Sequence, residues 1–462
     1  MLFFATTVNY LDRQVLSLTW DEFIKPEFHW DESHYGKITS VFSIFYAICM
    51  LFAGRFIDWM GTKKGYIWAI VVWSVGACLH AGCGLFTESW TGIGSKLGLI
   101  QATGDAAVLV ATVSMYAFLF ARCVLALGEA GNFPAAIKVT AEYFPKRDRA
   151  FATSIFNSGA SIGALIAPVT IPLLAKYWGW EMAFIVIGAL GFVWAGLWVF
   201  LYSSPSKSKY VNQAELVYIE QDKDDLANVK KEAEMDEGEK LSFLDCFKYK
   251  QTWAFAFGKF MTDGVWWFFL FWTPSYLNTQ FGIKSTDTLG MALIFTLYLI
   301  TMLSIYGGKL PTIIINRTGK NPYAARMQAM LIFAFFPLVV LLAQPLGTLS
   351  PWFPVILIGI GGAAHQSWSA NIFSTVSDMF PKSAVATITG IGGMAGGVGS
   401  MILQWVAGDL FVYAGETNMH YLGFEGKPAG YFIIFCVCAV AYLIGWIVMK
   451  MLVPKYKPIV IE

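Results

Sequence analysis

"GRFIDWMGTKK", residues 54–64, lies between two long apolar runs, and its reading decides the fold. Gly54, Asp58, Gly61, Lys63 and Lys64 follow the pattern G-x3-D-x2-G-x-K-K. The run before it covers approximately residues 37–58 and the run after it approximately 64–86. A transmembrane helix takes about 20 mostly apolar residues, so each run is long enough to cross a bilayer. A turn this short and basic joins two antiparallel spans on one side of a membrane.

Working outward, the same criterion finds twelve runs. They fall at approximately 1–24, 37–58, 64–86, 108–139, 149–174, 181–203, 252–280, 288–314, 325–346, 352–377, 384–412 and 430–453. Pro and Gly inside them do not disqualify them, because membrane helices tolerate both. Composition agrees: 56% of the 462 residues are hydrophobic and 14% charged, where a soluble domain carries about 25% charge. The expected class is an all-α membrane protein whose partner is the lipid bilayer. A net charge of +1 leaves no electrostatic footprint for a nucleic acid. The seven Cys lie mostly in apolar runs without ligand spacing and read as small hydrophobes. No metal site or cofactor is expected. With no Ser–His–Asp set and no phosphate-binding loop, neither is an enzyme.

Residues 204–250 change character. "EQDKDDLANVKKEAEMDEGEK" is almost all charged or small and reads as a solvated cytoplasmic linker. It divides the chain into an N-terminal six-helix bundle, 1–203, and a C-terminal one, 251–462. Basic residues cluster at Lys63 and Lys64, at Lys146, Arg147 and Arg149, in the linker, at Arg317, Lys320 and Arg326, and at Lys450, Lys455 and Lys457. With twelve spans these all fall on one side, which places both termini in the cytoplasm of a multi-pass inner-membrane protein. The connection "TESWTGIGSKLGLIQATGDAA" then faces outward, without an assigned role.

The halves echo one another. "AEYFPKRDRA" follows the fourth run and "VSDMFPKSAVA" the tenth; "GRFIDWMGTKK" follows the second and "GGKLPTIIINRTGK" the eighth. Repeated halves are the mark of proteins that move solutes by alternating access.

Two runs carry charge. "VNYLDRQVLS", residues 8–17, places Asp12 beside Arg13, and "ARCVLALGEAGNFPAAIK", residues 121–138, contains Arg122 and Glu129. Seven residues are two helical turns, so Arg122 and Glu129 share a face about 10 Å apart along the axis. A charge at mid-bilayer costs about 2.5–3.5 kcal/mol. Four unpaired would together cost on the order of 10 kcal/mol, comparable to the stability of a whole domain. They must face one another and a polar cavity. Ion pairs that only fix helix packing are the plainer alternative, but one pair would suffice for that. Successive residues diverge by about 100°, so Arg13 can look into a cavity while Asp12 looks to a neighbouring helix.

The motif at 54–64, its echo and the twelve runs resemble the major facilitator superfamily. "NYLDR" together with the fourth-run motif resembles its anion:cation symporter family. "GEAGNFPAAIK", "FNSGASIGA", "DGVWWFFLFWTPSYL", "AHQSWSANIFSTVSDMFPK" and "TGIGGMAGG" are similar to bacterial hexuronate transporters. The resemblance implies two pseudo-symmetric six-helix bundles that import a sugar acid with protons, or sodium, as coupling ion. Arg13 and Arg122 would hold the substrate carboxylate. Asp12 and Glu129 would be the proton-coupling pair, Glu129 being freed when substrate occupies Arg122. Tyr10 and Tyr46 would bond the sugar. Gly54, Asp58, Gly61, Lys63 and Lys64 would form a cytoplasmic gate, Gly54 allowing close helix approach. Two features depart from the pattern: Gly264, where proline is expected, and the longer third-to-fourth connection.

Further candidates for the substrate site follow from the residues themselves. Lys259 and Asp263, four apart, can form a pair that substrate disrupts. Trp266 and Trp267 offer indole faces to a pyranose ring or to the membrane interface. His365, Gln366, Ser369 and Asn371 bring donors and acceptors into the tenth run, and Asn157 and Ser161 into the fifth. The expected partner is a small organic anion and the expected working unit a monomer. A uniporter or exchanger of an aldonate, glucarate or dicarboxylate keeps the same fold. A sensor signalling through 204–250 is the third alternative.

Overall fold

A computed structural model describes residues 1–144, 149–220, 244–380, 382–457 and 459. Its helices follow the hydropathy pattern closely. α1 is Leu2–Thr19, α2 Glu32–Met60, α3 Thr62–Ala81, α4 Asp105–Glu129, α5 Arg149–Trp178 and α6 Trp180–Leu201. After the linker come α7 (Lys250–Phe281), α8 (Thr288–Thr301), α9 (Pro322–Phe335), α10 (Trp352–Met379), α11 (Lys382–Glu416) and α12 (Lys427–Leu452). Short helical segments extend several of them, among them Asn132–Tyr143 after α4.

Seven of these helices are long and apolar enough to cross a membrane, and α3 makes an eighth when joined across a 50° bend to Cys83–Thr91. The four that fall short are α1, α7, α8 and α10. Each of them lines the central cavity described below. Asn9, Asp12, Arg13 and Gln14 depress the hydropathy of α1, and His365, Gln366 and Asn371 that of α10. The polar residues that weaken the membrane signal are the ones that build the interior.

The first six helices pack mainly through α1 on α5 and α3 on α4 and α6; the last six through α7 on α11 and α12 and α8 on α10. α2 on α11 and α5 on α8 join the two sets. Glycines set the α1–α5 spacing. A Cβ at Gly163 would lie 3.0 Å from Cβ of Tyr10, and one at Gly159 would strike the α1 backbone at Phe3. Small residues four apart let membrane helices approach this closely.

The α2–α11 seam is likewise built on glycine. A Cβ at Gly36 would meet the Gln404 carbonyl at 2.8 Å and Cα of Gly408 at 3.0 Å. Ser40 Oγ donates to the Met401 carbonyl at 2.8 Å, and Ser400 Oγ to Ser43 Oγ at 3.0 Å. Polar clasps close the face opposite the linker. Lys427 and Lys25 both reach Glu32, at 2.6 and 2.8 Å. Asn278 donates to Asp21 at 2.8 Å, Thr286 to Glu22 at 2.6 Å and Ser33 to Asp409 at 2.6 Å. Toward the linker face a Cβ at Gly390 would still touch Leu51, and one at Gly54 would meet nothing within 4 Å.

The long third-to-fourth connection is helical over Cys83–Thr91 and Lys96–Gln101. Lys96 reaches Glu27 at 2.9 Å and Glu181 at 2.5 Å, and Trp180 Nε1 donates to Glu27 at 2.7 Å. The connection therefore braces the α1–α2 turn against the start of α6.

Candidate functional site

A charge on α1 meets a charge on α4. Arg13 Nε donates to Glu129 Oε2 at 2.7 Å, with both side chains buried. The Arg13 guanidinium carbon lies 4.6 Å from the centroid of Tyr46, 5.2 Å from Trp267 and 5.3 Å from Tyr10. Three aromatic faces and a carboxylate thus hold one cation, a desolvated setting in which cation–π attraction is strongest.

Asp12 turns away, as the 100° divergence requires. It faces α3, where Trp73 lies beside it without good hydrogen-bond geometry. Arg122 is buried with its guanidinium 5.3 Å over the Phe42 ring, within electrostatic reach of Tyr35, Glu129 and Asp12. The expected mechanism made Arg122 the counter-charge of Glu129; in the structure Glu129 pairs with Arg13. Side chains two turns apart on one helix rise in parallel, whereas a residue on a crossing helix can point straight at one of them.

Several buried atoms here have no hydrogen-bond partner: both carboxylate oxygens of Asp12, both amide atoms of Asn9 and Gln14, Arg13 Nη2, Arg122 Nη1 and Glu129 Oε1. Buried polar atoms are nearly always paired, so this concentration of exceptions calls for an explanation.

Beside this cluster lies a cavity of about 430 Å³. Tyr10 of α1, Ser161 of α5, Trp266 of α7, Tyr298 and Thr301 of α8, and Gln366 and Ser369 of α10 are in its wall. Of the residues expected from the sequence, Tyr10, Ser161, Trp266, Gln366 and Ser369 reach it. Arg13 and Tyr46 stand one layer behind Tyr10. His365 does not face the cavity: it pairs with Tyr442 at 2.8 Å and stacks on Trp266 at 5.6 Å. Asn371 turns back on its own helix and donates to the Ser367 carbonyl at 2.8 Å. Lys259 and Asp263 pair at 2.7 Å, with the ammonium 4.3 Å from the centroid of Phe373, another wall residue. The sequence reading missed Tyr298, Thr301 and Ser304 on the α8 side of the wall. Their spacing of three in an otherwise apolar run was the available signal.

At the linker face Gly61 joins α2 to α3 at φ 78° and ψ 153°, a conformation open to glycine alone. Lys63 and Lys64 border a surface pocket of about 700 Å³ with Thr62, Glu142 and Tyr202. The hydroxyls of Thr62 and Tyr202 both donate to Glu142. Gly54 makes no close helix contact: a Cβ there would meet nothing within 4 Å. The side chains of Asp58 and Asn157 lie outside the described residues, as do residues 221–243 of the linker.

A multi-pass helical protein with buried charges beside a cavity between its two sets of helices has the build of a membrane transporter. The chain belongs to the Major Facilitator Superfamily, whose sequence profile matches residues 2–404. It is similar to the hexuronate transporter of Escherichia coli (strain K12), 28% identical over 448 residues, covering 96% of this chain and 90% of that one. It is also similar to the probable galactarate/D-glucarate transporter GarP of the same strain, 26% identical over 415 residues, 89% and 86% of the two chains. In fold it resembles a bacterial homologue of the human lysosomal transporter Spinster, in an inward-facing and occupied conformation. The TM-score is 0.67 at 16% identity over 98% of this chain and 95% of that one.

Proposed function

We propose that the protein imports a hexuronate such as glucuronate or galacturonate together with protons, by alternating access, across a bacterial inner membrane. Its termini and the 204–250 linker lie in the cytoplasm, and residues 1–203 and 251–462 rock as two bodies about the cavity. The observation that carries this reading is the Arg13–Glu129 pair at 2.7 Å, one aromatic layer from the cavity wall. The relatives named hexuronate transporters support the choice of substrate.

The mechanism turns on exchange of carboxylates. A substrate carboxylate that draws Arg13 past Tyr10 replaces Glu129 as its counter-charge, and Arg13 can present a two-pronged fork to it. Glu129, left buried without that charge, accepts a proton, since desolvation disfavours the charged form of an acid. Arg122 and Asp12 lie close enough to adjust this balance. The site's net charge is then the same with and without substrate, so closing the halves over it carries no extra electrostatic penalty. The clasps at the far face part when the opposite end closes, and the loop around Asp58 gates the exit on the linker side.

The test is proton-driven uptake into proteoliposomes. Glu129→Gln retains substrate binding, read as a thermal shift, yet fails to concentrate substrate under an imposed pH gradient. Concentrative uptake by that variant at the wild-type level would overturn the coupling role.

A further inference from the structure

The linker face carries a pocket that the transport cycle does not use. It holds about 620 Å³ and lies between the start of α7 and the tail that follows α12. Lys248, Lys250, Lys455 and Lys457 are in its wall, and among the described residues no Asp or Glu is. Lys248 pairs with Asp245 at 2.5 Å. The other three lysines have no ion-pair partner among the described residues. The pocket beside the loop at 54–64 differs on this point: Lys63 and Lys64 share its wall with Glu142 and Glu220.

Like charges gathered without an acid repel one another, yet the tail that carries two of them is held firmly. Tyr323 of α9 donates its hydroxyl to the Val453 carbonyl at 2.8 Å, and Gln251 Nε2 of α7 donates to the Lys457 carbonyl at 3.0 Å. The Tyr456 hydroxyl donates to the Asp378 carbonyl at 3.2 Å, and the Ile459 N–H to the Met379 carbonyl at 2.8 Å, both at the end of α10. Lys455 and Lys457 thus sit on backbone that is ordered before any anion arrives, which lowers the cost of binding one.

The surroundings of the pocket are those of a membrane boundary. Trp253, one turn into α7, is 53% exposed, and Met451, in the last turn of α12, is 75% exposed. Trp253 Nε1 donates to the Phe247 carbonyl at 2.8 Å, so its ring is fixed. In a bilayer such apolar side chains meet acyl chains, and Trp marks the level of the headgroups. The lysines therefore gather where a phospholipid places its phosphate.

We infer that this pocket binds the phosphate of an anionic phospholipid, with Lys250, Lys455 and Lys457 as its counter-charges and the acyl chains running past Trp253 and Met451. Phosphate chemistry is shared by a lipid headgroup and a soluble phosphate ester; the exposed Trp253 and Met451 single out the lipid. A zwitterionic headgroup brings its own cation, which the lysines repel, so the site selects a headgroup of net negative charge. The bound lipid ties the return of the linker, at Lys248 and Lys250, to the tail. This site is independent of what the central cavity carries.

The experiment uses the purified full-length chain in neutral detergent. It is titrated with phosphatidylglycerol, with phosphatidylcholine of the same acyl chains and with glycerol 3-phosphate. Retained lipid is counted by native mass spectrometry and the melting temperature is followed. The wild type is expected to retain phosphatidylglycerol in preference to phosphatidylcholine and to be stabilised by it. A lysine near an anionic lipid surface contributes about fivefold in affinity. Lys455→Gln/Lys457→Gln should therefore weaken phosphatidylglycerol binding by at least about tenfold. Lys207→Gln/Lys209→Gln, which removes the same charge from the start of the linker, should leave it unchanged. Equal retention of the two lipids by the wild type, which needs no variant to fold, overturns the site. So does an equal loss in both double variants, which is what a general effect of charge would give. Glycerol 3-phosphate binding as tightly as phosphatidylglycerol overturns the lipid as the occupant.

Discussion

At the scale of single residues, Arg13 is the pivot. Its guanidinium has one carboxylate partner, three aromatic neighbours and an unpartnered Nη2. Replacing it by Ala leaves Glu129 buried without its cation, and removing one partner of a buried pair costs about 3–5 kcal/mol. Arg13→Ala is therefore expected to lower thermal stability and to lose the sugar-acid shift. Arg13→Lys restores charge without the fork: it should recover stability but bind at least about tenfold more weakly. Denaturation curves with and without glucuronate separate the two effects. The sequence pointed to the charged residues at once, because a charge in hydrocarbon needs a reason. It did not show which cation meets which carboxylate. That depends on how the helices are placed around one another, and spacing along one helix says nothing about it. His365 and Asn371 show the same limit: intramembrane polar residues are conspicuous in sequence, but their partners can be Tyr442 or their own backbone rather than a ligand.

At the scale of elements, the hydropathy pattern located the twelve helices, and the misjudged details are where helix geometry departs from regularity. α1 runs into a π-helical turn at Trp20–Ile24, α3 bends after Ala81, and α8 breaks up after Thr301. Average apolarity does not register these. The connection after α3 gave no sequence clue to a role, since Lys96, Glu27 and Glu181 are far apart in the chain. Burial pushes the Glu27 carboxyl up, against the Trp180 N–H and the Lys96 ammonium that hold it down. A raised folded-state value means that the folded protein holds the proton more tightly. The associated stability is full below the unfolded value near 4.5 and is lost as pH rises through the folded value. Glu27→Gln keeps the acceptor for Trp180 and should flatten the pH dependence of the melting temperature above about pH 4.5, as measured in a pH series of melts. Gly61 makes a different demand on the loop at 54–64. At its positive φ a Cβ costs about 1–3 kcal/mol, so Gly61→Ala should lower the melting temperature even though space is open around it.

At the scale of the whole molecule, the two sets of helices are clasped by polar contacts at the face opposite the linker. No sequence pattern encodes which face is clasped, because both arrangements use the same residues. Glu32 is held by Lys25 and Lys427 at once, and Lys427 comes from the other set of helices. Glu32→Gln weakens both contacts and should shift the population toward opening at that face by about tenfold. A cysteine placed at Ser40, buried in the seam below the clasps, would then react about tenfold faster with an impermeant maleimide added from that side. An unchanged rate would remove Glu32 from control of the opening.

The glycine seam between α2 and α11 has a thermal consequence. Gly36 and Gly408 meet as bare backbone, so their separation uncovers little hydrocarbon. Heat-capacity change scales with the apolar area uncovered, about 0.45 cal/K/mol for each Å². Switching between the two orientations should accordingly show a small heat-capacity change. The balance of orientations would then follow a nearly straight van't Hoff line across the growth range, unlike the curved stability of the protein's own unfolding.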